Sequence, residues 1–392
     1  MKTRTIVIVN DGLGPNKGDQ AILLSMVESM RKAIPEAELR TFPNSGMTSL
    51  RQYYRFIKTL RDADLFLFGG GQEIQDHASV AFLISGLLKV VLARSLSKPV
   101  LCYALGVGPV GTALGRLASR AVLNGVDFIT VRDGVSRKHL IDLGITTPPC
   151  VVTADPALAL APAKGEEVRG VFVSERIDMT KGPRIAIAPR RWFHYKHHIL
   201  PMSLRARIGR VRDEERFAQL KQVIAEVADR LVERHNAQVI FVPMRSSDNR
   251  MDPGQDDNIV SREIIGLMRF KRNAILLKGD HPPPVLKGFF GEMDLVIGMR
   301  MHSLILASMM DVPVLGISLS PKFRPFFDLI GQGEYLIPVE EVRVQNLLEK
   351  ISMALAYAGT IKTELTSRKT TAQELALSNV RYVQHLLESS GK

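Results

Sequence analysis

Residues 5–19, which read TIVIVNDGLGPNKGD, decide the fold. The apolar, β-branched run at residues 5–9 predicts a buried strand, and a glycine-rich loop follows it. Asp19 stands where the N-cap of a helix is expected, and this helix is predicted to reach about Lys32. A strand, a loop and a helix in this order form the repeating unit of a parallel sheet that helices cover on both faces.

The same unit recurs along the chain. Short apolar strands are predicted at residues 38–42, 64–68, 99–104, 126–131 and 150–153 in the first half, and at 184–189, 238–242, 274–277, 294–297 and 312–317 in the second. A polar and charged segment between the halves, residues 163–182, is interpreted as a linker. The pattern predicts an α/β protein with two doubly wound, Rossmann-like domains, residues 1–165 and 183–392, facing a cleft. The helical C-terminal stretch, residues 340–387, can pack back on the first domain.

The composition excludes several classes of protein. The 392 residues exceed one ordinary domain of about 100–200 residues. A share of 45% hydrophobic and 23% charged residues is typical of a folded globular protein. The two cysteines, Cys102 and Cys150, exclude a disulfide scaffold and a cysteine zinc site. The sequence has no recognisable metal-ligand spacing, so neither a metal nor a cofactor is expected.

The charge and the apolar segments bear on partners and location. A net charge of +12 attracts polyanions in general: nucleic acid, phosphorylated metabolites or an anionic membrane. The apolar run before Asn10 is too short for a secretion signal. Residues 80–92 contain Lys89 and are too few for a membrane-spanning helix. A cytoplasmic protein is expected, with peripheral contact at an anionic membrane as an option.

Two loops of the first half are candidate ligand sites. Gly69, Gly70 and Gly71 follow a buried strand and permit a close backbone approach to a ligand, although tight turns also use glycine. Arg132 ends another strand, where a guanidinium can bind a carboxylate or a phosphate. The alternative for Arg132 is a pair with Asp133 that caps the next helix.

Residues 298–303, GMRMHS, carry the most information in the second half. They place Arg300 and His302 directly after a strand, at the positively charged N-terminus of a helix. An arginine there opposes the helix dipole unless an anion offsets it, and that anion raises the pKa of the histidine. The combination suits a site that binds a dianion and transfers a proton, although a buried histidine is often structural.

Other basic residues follow strands of the second half. Lys322 stands at the same sheet edge, where it adds a positive charge or is merely solvated. Arg190 lies beside Trp192, the only tryptophan. The basic segment at residues 192–216 is interpreted as a solvated loop, a flap over the cleft, or a patch for pyrophosphate or anionic lipid.

Together these motifs resemble the polysaccharide pyruvyl transferase family along nearly the whole chain. The most specific element is Gly-Met-Arg-x-His at residues 298–302. The other matching motifs are Gly18-Asp19-Gln20-Ala21-Ile22, Phe68-Gly69-Gly70-Gly71, Gly106-Val107-Gly108-Pro109, Arg132-Asp133, Asp155-Pro156-Ala157, Arg190 with Trp192, Asp256-Asp257 and Pro321-Lys322.

The resemblance implies a fold like that of the GT-B glycosyltransferases and phosphoenolpyruvate as the donor. Pyruvate is then attached as a cyclic ketal to two hydroxyls of one sugar, on a polysaccharide or its lipid-linked precursor, and phosphate leaves. By analogy, Arg132, Arg300 and Lys322 hold the donor, and the C-terminal domain is the expected donor side of the cleft. His302 donates the proton or orients the phosphate, and Asp19 on the acceptor side activates the hydroxyl. Arg190, Gly70 and Gly71 complete the expected substrate-binding set.

Two alternatives stay open beside this hypothesis. The same architecture hosts glycosyltransferases that use a nucleotide-sugar donor, because fold does not fix function. A non-catalytic protein that binds polyanions through its basic surface is the third option. The resemblance implies no nucleic-acid partner, and neither the acceptor sugar nor the oligomeric state follows from the sequence.

Overall fold

The structure is a computed structural model that describes residues 4–45, 47, 49–76, 79–192, 214–246 and 256–389. These residues form two lobes, and each lobe is built on a six-stranded sheet. Every strand runs parallel to its neighbours in the sheet. The prediction of two doubly wound α/β units is confirmed.

The first lobe follows the strand–helix alternation that the sequence indicated. Its strands are β1 (Thr5–Val9), β2 (Glu38–Phe42), β3 (Leu65–Gly69), β4 (Val100–Leu105), β5 (Phe128–Val131) and β6 (Cys150–Val152). The helices between them are α1 (Lys17–Ala33), α2 (Leu50–Arg61), α3 (Val80–Ser95), α4 (Ala113–Leu123) and α5 (Gly134–Asp142). The strand order across the sheet is β2-β1-β3-β4-β5-β6.

The segment between the lobes contains a helix, α6 (Glu166–Ser174). Val168, Val171 and Phe172 lie on one face of this helix and are buried. Phe172 packs on Phe289 of the second lobe, with ring centroids 5.1 Å apart. The interpretation of residues 163–182 as a linker was therefore wrong for this helix. The segment is polar and charged on average because the exposed face of α6 is charged, and the three buried apolar residues do not change that average.

The second lobe repeats the architecture of the first. Its strands are β7 (Arg184–Ala188), β8 (Gln238–Phe241), β9 (Ala274–Leu276), β10 (Leu295–Gly298), β11 (Val314–Ser318) and β12 (Leu336–Pro338). The described helices that pack on them are α7 (Glu214–His235), α8 (Asp257–Leu267), α9 (Pro283–Phe290), α10 (Met301–Ser308), α11 (Phe323–Leu329) and α12 (Val344–Ala356). The strand order is β12-β11-β10-β7-β8-β9.

The strands are apolar on both faces because helices cover both sides of each sheet. In β3, Leu65 and Leu67 belong to the same core as the buried side chains of α1. Phe66 and Phe68 alternate with them and pack in a second core with α2, α3, α4 and α5. The first sheet therefore carries α1 on one face and α2 to α5 on the other.

Each sheet has one point where the strand order reverses. β1 lies between β2 and β3, and β7 lies between β8 and β10. The loops that leave the two strands at such a point go to opposite faces of the sheet, so a crevice opens at its carboxyl edge. The candidate residues of the sequence analysis follow β1, β3, β5, β7, β10 and β11.

Contacts between loops join the two lobes across these crevices. The Lys17 backbone N–H donates to the Met244 carbonyl over 2.8 Å, and the Lys17 ammonium lies 2.5 Å from Asp280 Oδ1. Lys322 Nζ donates to Gln72 Oε1 over 3.1 Å. The carboxyl edges of the two sheets therefore face each other across one gap.

The last helices, α13 (Ala358–Leu377) and α14 (Asn379–Ser389), lead back to the first lobe. The Asn379 side-chain oxygen accepts hydrogen bonds from the hydroxyls of Thr130 and Thr153 over 2.6 and 2.9 Å. Phe128 of β5 stacks on Tyr382 of α14, with ring centroids 4.7 Å apart. α14 therefore packs on the first sheet.

Candidate functional site

The N-cap of α1 differs from the prediction by three residues. Asn16 caps the helix, since its side-chain oxygen accepts from the Gly18 N–H over 3.1 Å. Asp19 was expected to be the N-cap, and this was wrong because the helix begins at Lys17. Asn16 Nδ2 donates to Asp19 Oδ2 over 2.7 Å. The Asp19 carboxylate is close enough to the second lobe for the charge of His302 to act on its pKa.

The glycine loop after β3 contains two residues that need glycine for local reasons. Gly69 and Gly70 have φ angles of 124° and 90°, which side chains rarely permit. A Cβ on Gly70 would also overlap Met26 and Ile22 of α1. The conformation and the packing therefore account for Gly70, and its predicted role in substrate binding stays a prediction.

Three carboxyl groups line the first-lobe side of the gap, and we call Asp11, Asp19 and Glu73 the acid wall. A Cβ on Gly71 would lie 2.9 Å from Glu73 Oε1 and 4.0 Å from Asp19 Oδ1, so this glycine opens the space between them. Burial, reinforced by Asp11 and Asp19, raises the pKa of Glu73 well above its ordinary value, although Asn44 Nδ2 donates to it over 2.6 Å. Burial also raises the pKa of Asp19, against the charge of His302.

Glu73 was not among the predicted site residues. Its only signal in the sequence is its position two residues after the glycine triplet, and a polar residue in a loop is usually solvated. The structure buries it to 3% exposure beside two other carboxyl groups. A carboxyl group with a raised pKa in a crevice is a candidate proton donor or acceptor.

Arg132 makes contacts that fit both interpretations of it. Asp133 caps α5 by accepting from the Ser136 N–H over 2.6 Å, and Arg132 Nε lies 3.7 Å from Asp133 Oδ2. Arg132 Nη1 also donates to Asp155 Oδ2 over 3.1 Å. The guanidinium reaches the gap as well, because its charge lowers the pKa of Lys322 in the other lobe.

His302, the second residue of α10, crosses the gap to the first lobe. Its Nε2 is 3.5 Å from Asp155 Oδ2, and its Nδ1 faces Gly18, where a Cβ would overlap the ring. Burial alone would raise the pKa of Asp155, but the charge and contact of His302, and then the charge of Arg132, outweigh it and lower that pKa. Asp155 therefore orients the imidazole, as a proton-transferring histidine requires.

Arg300 has an anionic partner within the chain. Its Nε and Nη2 donate to the two carboxylate oxygens of Asp257 over 2.9 and 2.6 Å. Asp257 is fully buried at the start of α8 and also accepts from the Met244 N–H over 3.2 Å. The anion that the sequence argument expected beside Arg300 is thus supplied in part by Asp257. A direct contact of Arg300 with substrate stays a prediction.

Lys322 precedes α11, and its ammonium lies among positive charges. Burial lowers the pKa of Lys322, and Arg132, Arg190 and, more weakly, Arg300 lower it further against Asp19, to about 7. We call Arg132, Arg190, Arg300 and Lys322 the basic wall. The structure thus gathers these cations, His302, Asp19 and Gly71 at one gap.

A small pocket lies beside Arg132 and Lys322 of the basic wall. This pocket of about 30 Å³ is lined by Arg132, Asp155, Met301, Lys322 and Phe326, among others. This volume holds no more than a few water molecules.

One prediction lies largely outside the described residues. The basic segment that was interpreted as a loop, a flap or a lipid patch includes residues 193–213, which the structure does not describe. Trp192, at its start, is buried with 6% exposure. Asp256 in the matching acidic motif is the N-cap of α8.

Comparison with protein families gives one match. The model of a family described as polysaccharide pyruvyl transferase matches residues 16–321, more than three quarters of the chain. This range contains Asp19, Arg132, Arg190, Arg300 and His302, and Lys322 lies one residue beyond it. No curated protein matches the chain in sequence.

Solved structures resemble the whole chain in fold. MnaA of S. aureus, solved with UDP, is 14% identical with a TM-score of 0.60 and covers 98% of this chain and 97% of its own. HepE of Anabaena, solved with UDP and glucose, is 11% identical, with a TM-score of 0.58 over 98% and 100%. Sucrose-phosphate synthase of Thermosynechococcus elongatus is 12% identical, with a TM-score of 0.59 over 98% and 100%. The predicted GT-B-like fold is confirmed.

Proposed function

This chain belongs to the polysaccharide pyruvyl transferase family, and we propose that it transfers pyruvate from phosphoenolpyruvate to two hydroxyls of one sugar. The product is a cyclic pyruvate ketal on a polysaccharide or on its lipid-linked precursor, and phosphate is released. In this proposal the basic wall binds the donor, the acid wall receives the sugar hydroxyls, and His302 transfers a proton.

The observation that carries the proposal is the buried position of Lys322 among guanidinium groups, where burial and then these charges lower its pKa to about 7. Crowded positive charges are unfavourable in the unliganded protein and become favourable when an anion binds between them. Phosphoenolpyruvate carries a carboxylate and a phosphate on three carbons, so it needs several cations close together. Arg132 from the first lobe and Lys322 from the second supply them from opposite sides.

The atoms balance without a further reactant. A proton added to the methylene carbon makes a methyl group, and the neighbouring carbon becomes oxocarbenium-like. A sugar hydroxyl attacks that carbon and loses its proton, the bond to phosphate breaks with its electron pair, and the second hydroxyl attacks and loses its proton. One released proton replaces the one taken by the methylene carbon, and the other leaves with the phosphate.

His302 and the acid wall suit these proton transfers. Asp155 orients the His302 imidazole as an ion-pair partner 3.5 Å from Nε2, and this nitrogen makes no hydrogen bond within the described residues. The raised pKa values of Asp19 and Glu73 bring these carboxyl groups closer to neutral pH, where proton acceptance from a hydroxyl is most effective. Proton transfer of this kind typically contributes about 10²–10⁴-fold to the rate.

A nucleotide-sugar glycosyltransferase is the second candidate function. It is favoured by the UDP in the MnaA and HepE structures, whose fold this chain shares. At 14% and 11% identity that likeness concerns the fold. The distinguishing property is the donor: a glycosyltransferase binds a nucleotide sugar, and a pyruvyl transferase binds phosphoenolpyruvate without a nucleotide.

The test is an incubation of the protein with phosphoenolpyruvate and a panel of lipid-linked and nucleotide-linked sugars. We expect acceptor-dependent release of phosphate and a product whose mass shows one added pyruvate ketal. Lys322→Met is expected to abolish the release, and Lys362→Met, at an exposed lysine of α13, to leave it unchanged. Sugar transfer from a nucleotide sugar, with phosphoenolpyruvate inert across the panel, would refute the proposal.

A further inference from the structure

The outer face of the first lobe has an unusual surface. Among the described residues, fifteen large hydrophobic side chains are exposed, and seven of them lie on α2, α3 and α4. They are Leu50, Tyr53, Tyr54, Leu88, Val91, Leu114 and Leu117. Scattered exposed apolar residues are normal, but a group on one surface indicates a binding face.

These seven side chains point away from the same side of one sheet. The buried residues of α2, α3 and α4 share a single core with Phe66, Phe68 and Cys102. The three helices therefore form one layer, in which helices neighbouring in space lie about 8–10 Å apart. We call their exposed surface the outer face.

The charges on the outer face are all of one sign. Helices α2, α3 and α4 contain no Asp or Glu. Their exposed basic residues are Arg51, Arg55, Lys58, Arg61, Arg94, Arg116 and Arg120. In α2, Phe56 and Leu60 are buried in the core, while Leu50, Tyr53 and Tyr54 remain exposed.

From this arrangement we infer that the outer face binds the surface of a membrane rich in anionic lipids. Leucine and tyrosine side chains enter the boundary between headgroups and acyl chains, and lysine and arginine pair with anionic headgroups. A nucleic acid fits this face less well, because leucine and valine have no partner on a phosphate backbone. None of the helices in the described ranges could cross a bilayer, so the contact is peripheral.

The outer face is next to the gap between the lobes. Leu50 and Leu114 lie in the first turns of α2 and α4, the ends that adjoin the carboxyl edge of the sheet. Asp76, in the loop that carries the glycine triplet, accepts from the N–H groups of Gly111 and Thr112 over 2.9 and 2.8 Å. Since Thr112 caps α4, the loop at the gap and this end of the outer face are joined directly.

Vesicle co-sedimentation of the whole chain tests the inference without donor or acceptor. We expect binding to phosphatidylcholine vesicles that contain about a third phosphatidylglycerol, and little binding to phosphatidylcholine alone. The triple variant Leu50→Ser/Tyr54→Ser/Leu117→Ser removes side chains that are 89%, 69% and 68% exposed, so it is expected to fold normally. It should bind anionic vesicles about tenfold more weakly.

Charge variants and a matched control complete the experiment. Arg51→Gln/Arg55→Gln/Lys58→Gln is expected to weaken binding roughly 100-fold, because each basic residue near the membrane contributes separately. Val173→Ser/Tyr357→Ser, at exposed apolar positions away from the outer face, should bind as the wild type does. The inference would be overturned if the serine triple variant bound anionic vesicles as well as the wild type does. It would also be overturned if the wild type formed dimers and this variant did not, since a second copy of the chain would then occupy the outer face. Because no substrate is present, the outcome is independent of the proposed reaction.

Discussion

The acid wall and the basic wall meet at the same gap, and the pKa values of Asp19 and Glu73 are shifted in the opposite direction to that of Lys322. Burial and neighbouring carboxyl groups raise the pKa of Asp19 and Glu73. Burial and neighbouring guanidinium groups lower the pKa of Lys322 to about 7. Burial first, and then nearby charges of the same sign, therefore favour the neutral forms of Asp19, Glu73 and Lys322.

This difference assigns the two substrates. A wall of crowded cations gains most from a ligand that brings negative charge, which is the donor in our proposal. A wall of carboxyl groups with raised pKa values gains nothing from an anion and can accept protons from uncharged hydroxyls. His302 lies between the walls and is oriented by Asp155, whose pKa is lowered.

Removing the His302 imidazole should have the largest effect on kcat. His302→Ala is expected to lower kcat by roughly 10³-fold, within the range of proton-transfer catalysis, while the melting temperature changes little. Phosphate release and a thermal melt measure the two effects. His235→Ala, at the exposed end of α7, is the control. An active His302→Ala enzyme would exclude a catalytic role for this imidazole.

Adding one methyl group beside His302 should have the next largest effect. The new Cβ of Gly18→Ala overlaps the imidazole ring, so the ring or α1 must shift. We expect a loss of about 10–100-fold in kcat, because small displacements of catalytic groups are costly. Gly134→Ala, also at a helix start but with no atom within 4 Å of the new Cβ, is the matched control. Equal activity of the two variants would contradict the placement of His302.

The binding of phosphoenolpyruvate should depend on pH through the Lys322 ammonium of the basic wall. Because the pKa of Lys322 is lowered to about 7, its ammonium loses a proton as the pH rises through 7. Phosphoenolpyruvate should bind about fivefold more weakly at pH 8 than at pH 7, since an arginine or lysine partner must be charged. Lys322→Arg keeps its charge and should flatten this dependence. The same slope in Lys322→Arg would assign the titration to another group.

The smallest effect is expected for stability at the acid wall. The folded pKa of Glu73 is raised above its unfolded value, so the folded state binds more protons between the two. The stability of the unliganded protein should fall as the pH rises from the unfolded pKa toward the folded one. Glu73→Gln should remove this contribution to the fall, measured as unfolding free energy against pH. An unchanged slope would show that Glu73 is ionised in the folded protein.

The spacing of apolar residues and the positions of the glycines were sufficient to predict the fold. The short, mostly apolar strands of 3–6 residues in the first lobe and the glycines after them indicated the parallel sheets and the edge where ligands bind. Helix α6 was missed because its three buried residues lie among charged ones. The N-cap of α1 was misplaced because Asn16 and Asp19 are both good caps.

The candidate site was less predictable, since it depends on partners far apart in the sequence. Nothing in the sequence joins Arg300 to Asp257 or His302 to Asp155, which are contacts between separate elements of the fold. Glu73 acquires its raised pKa only when burial brings it together with Asp11 and Asp19. The residue types therefore indicated the kind of chemistry, and the tertiary fold determined which charged groups lie close together.

Calorimetric titration of the wild type and of Lys322→Met with phosphoenolpyruvate and with UDP-glucose tests the central claim most directly. The basic wall predicts that phosphoenolpyruvate binds the wild type, that Lys322→Met abolishes this binding, and that UDP-glucose binds neither protein. Binding of UDP-glucose to the wild type, with no heat from phosphoenolpyruvate, would contradict the account.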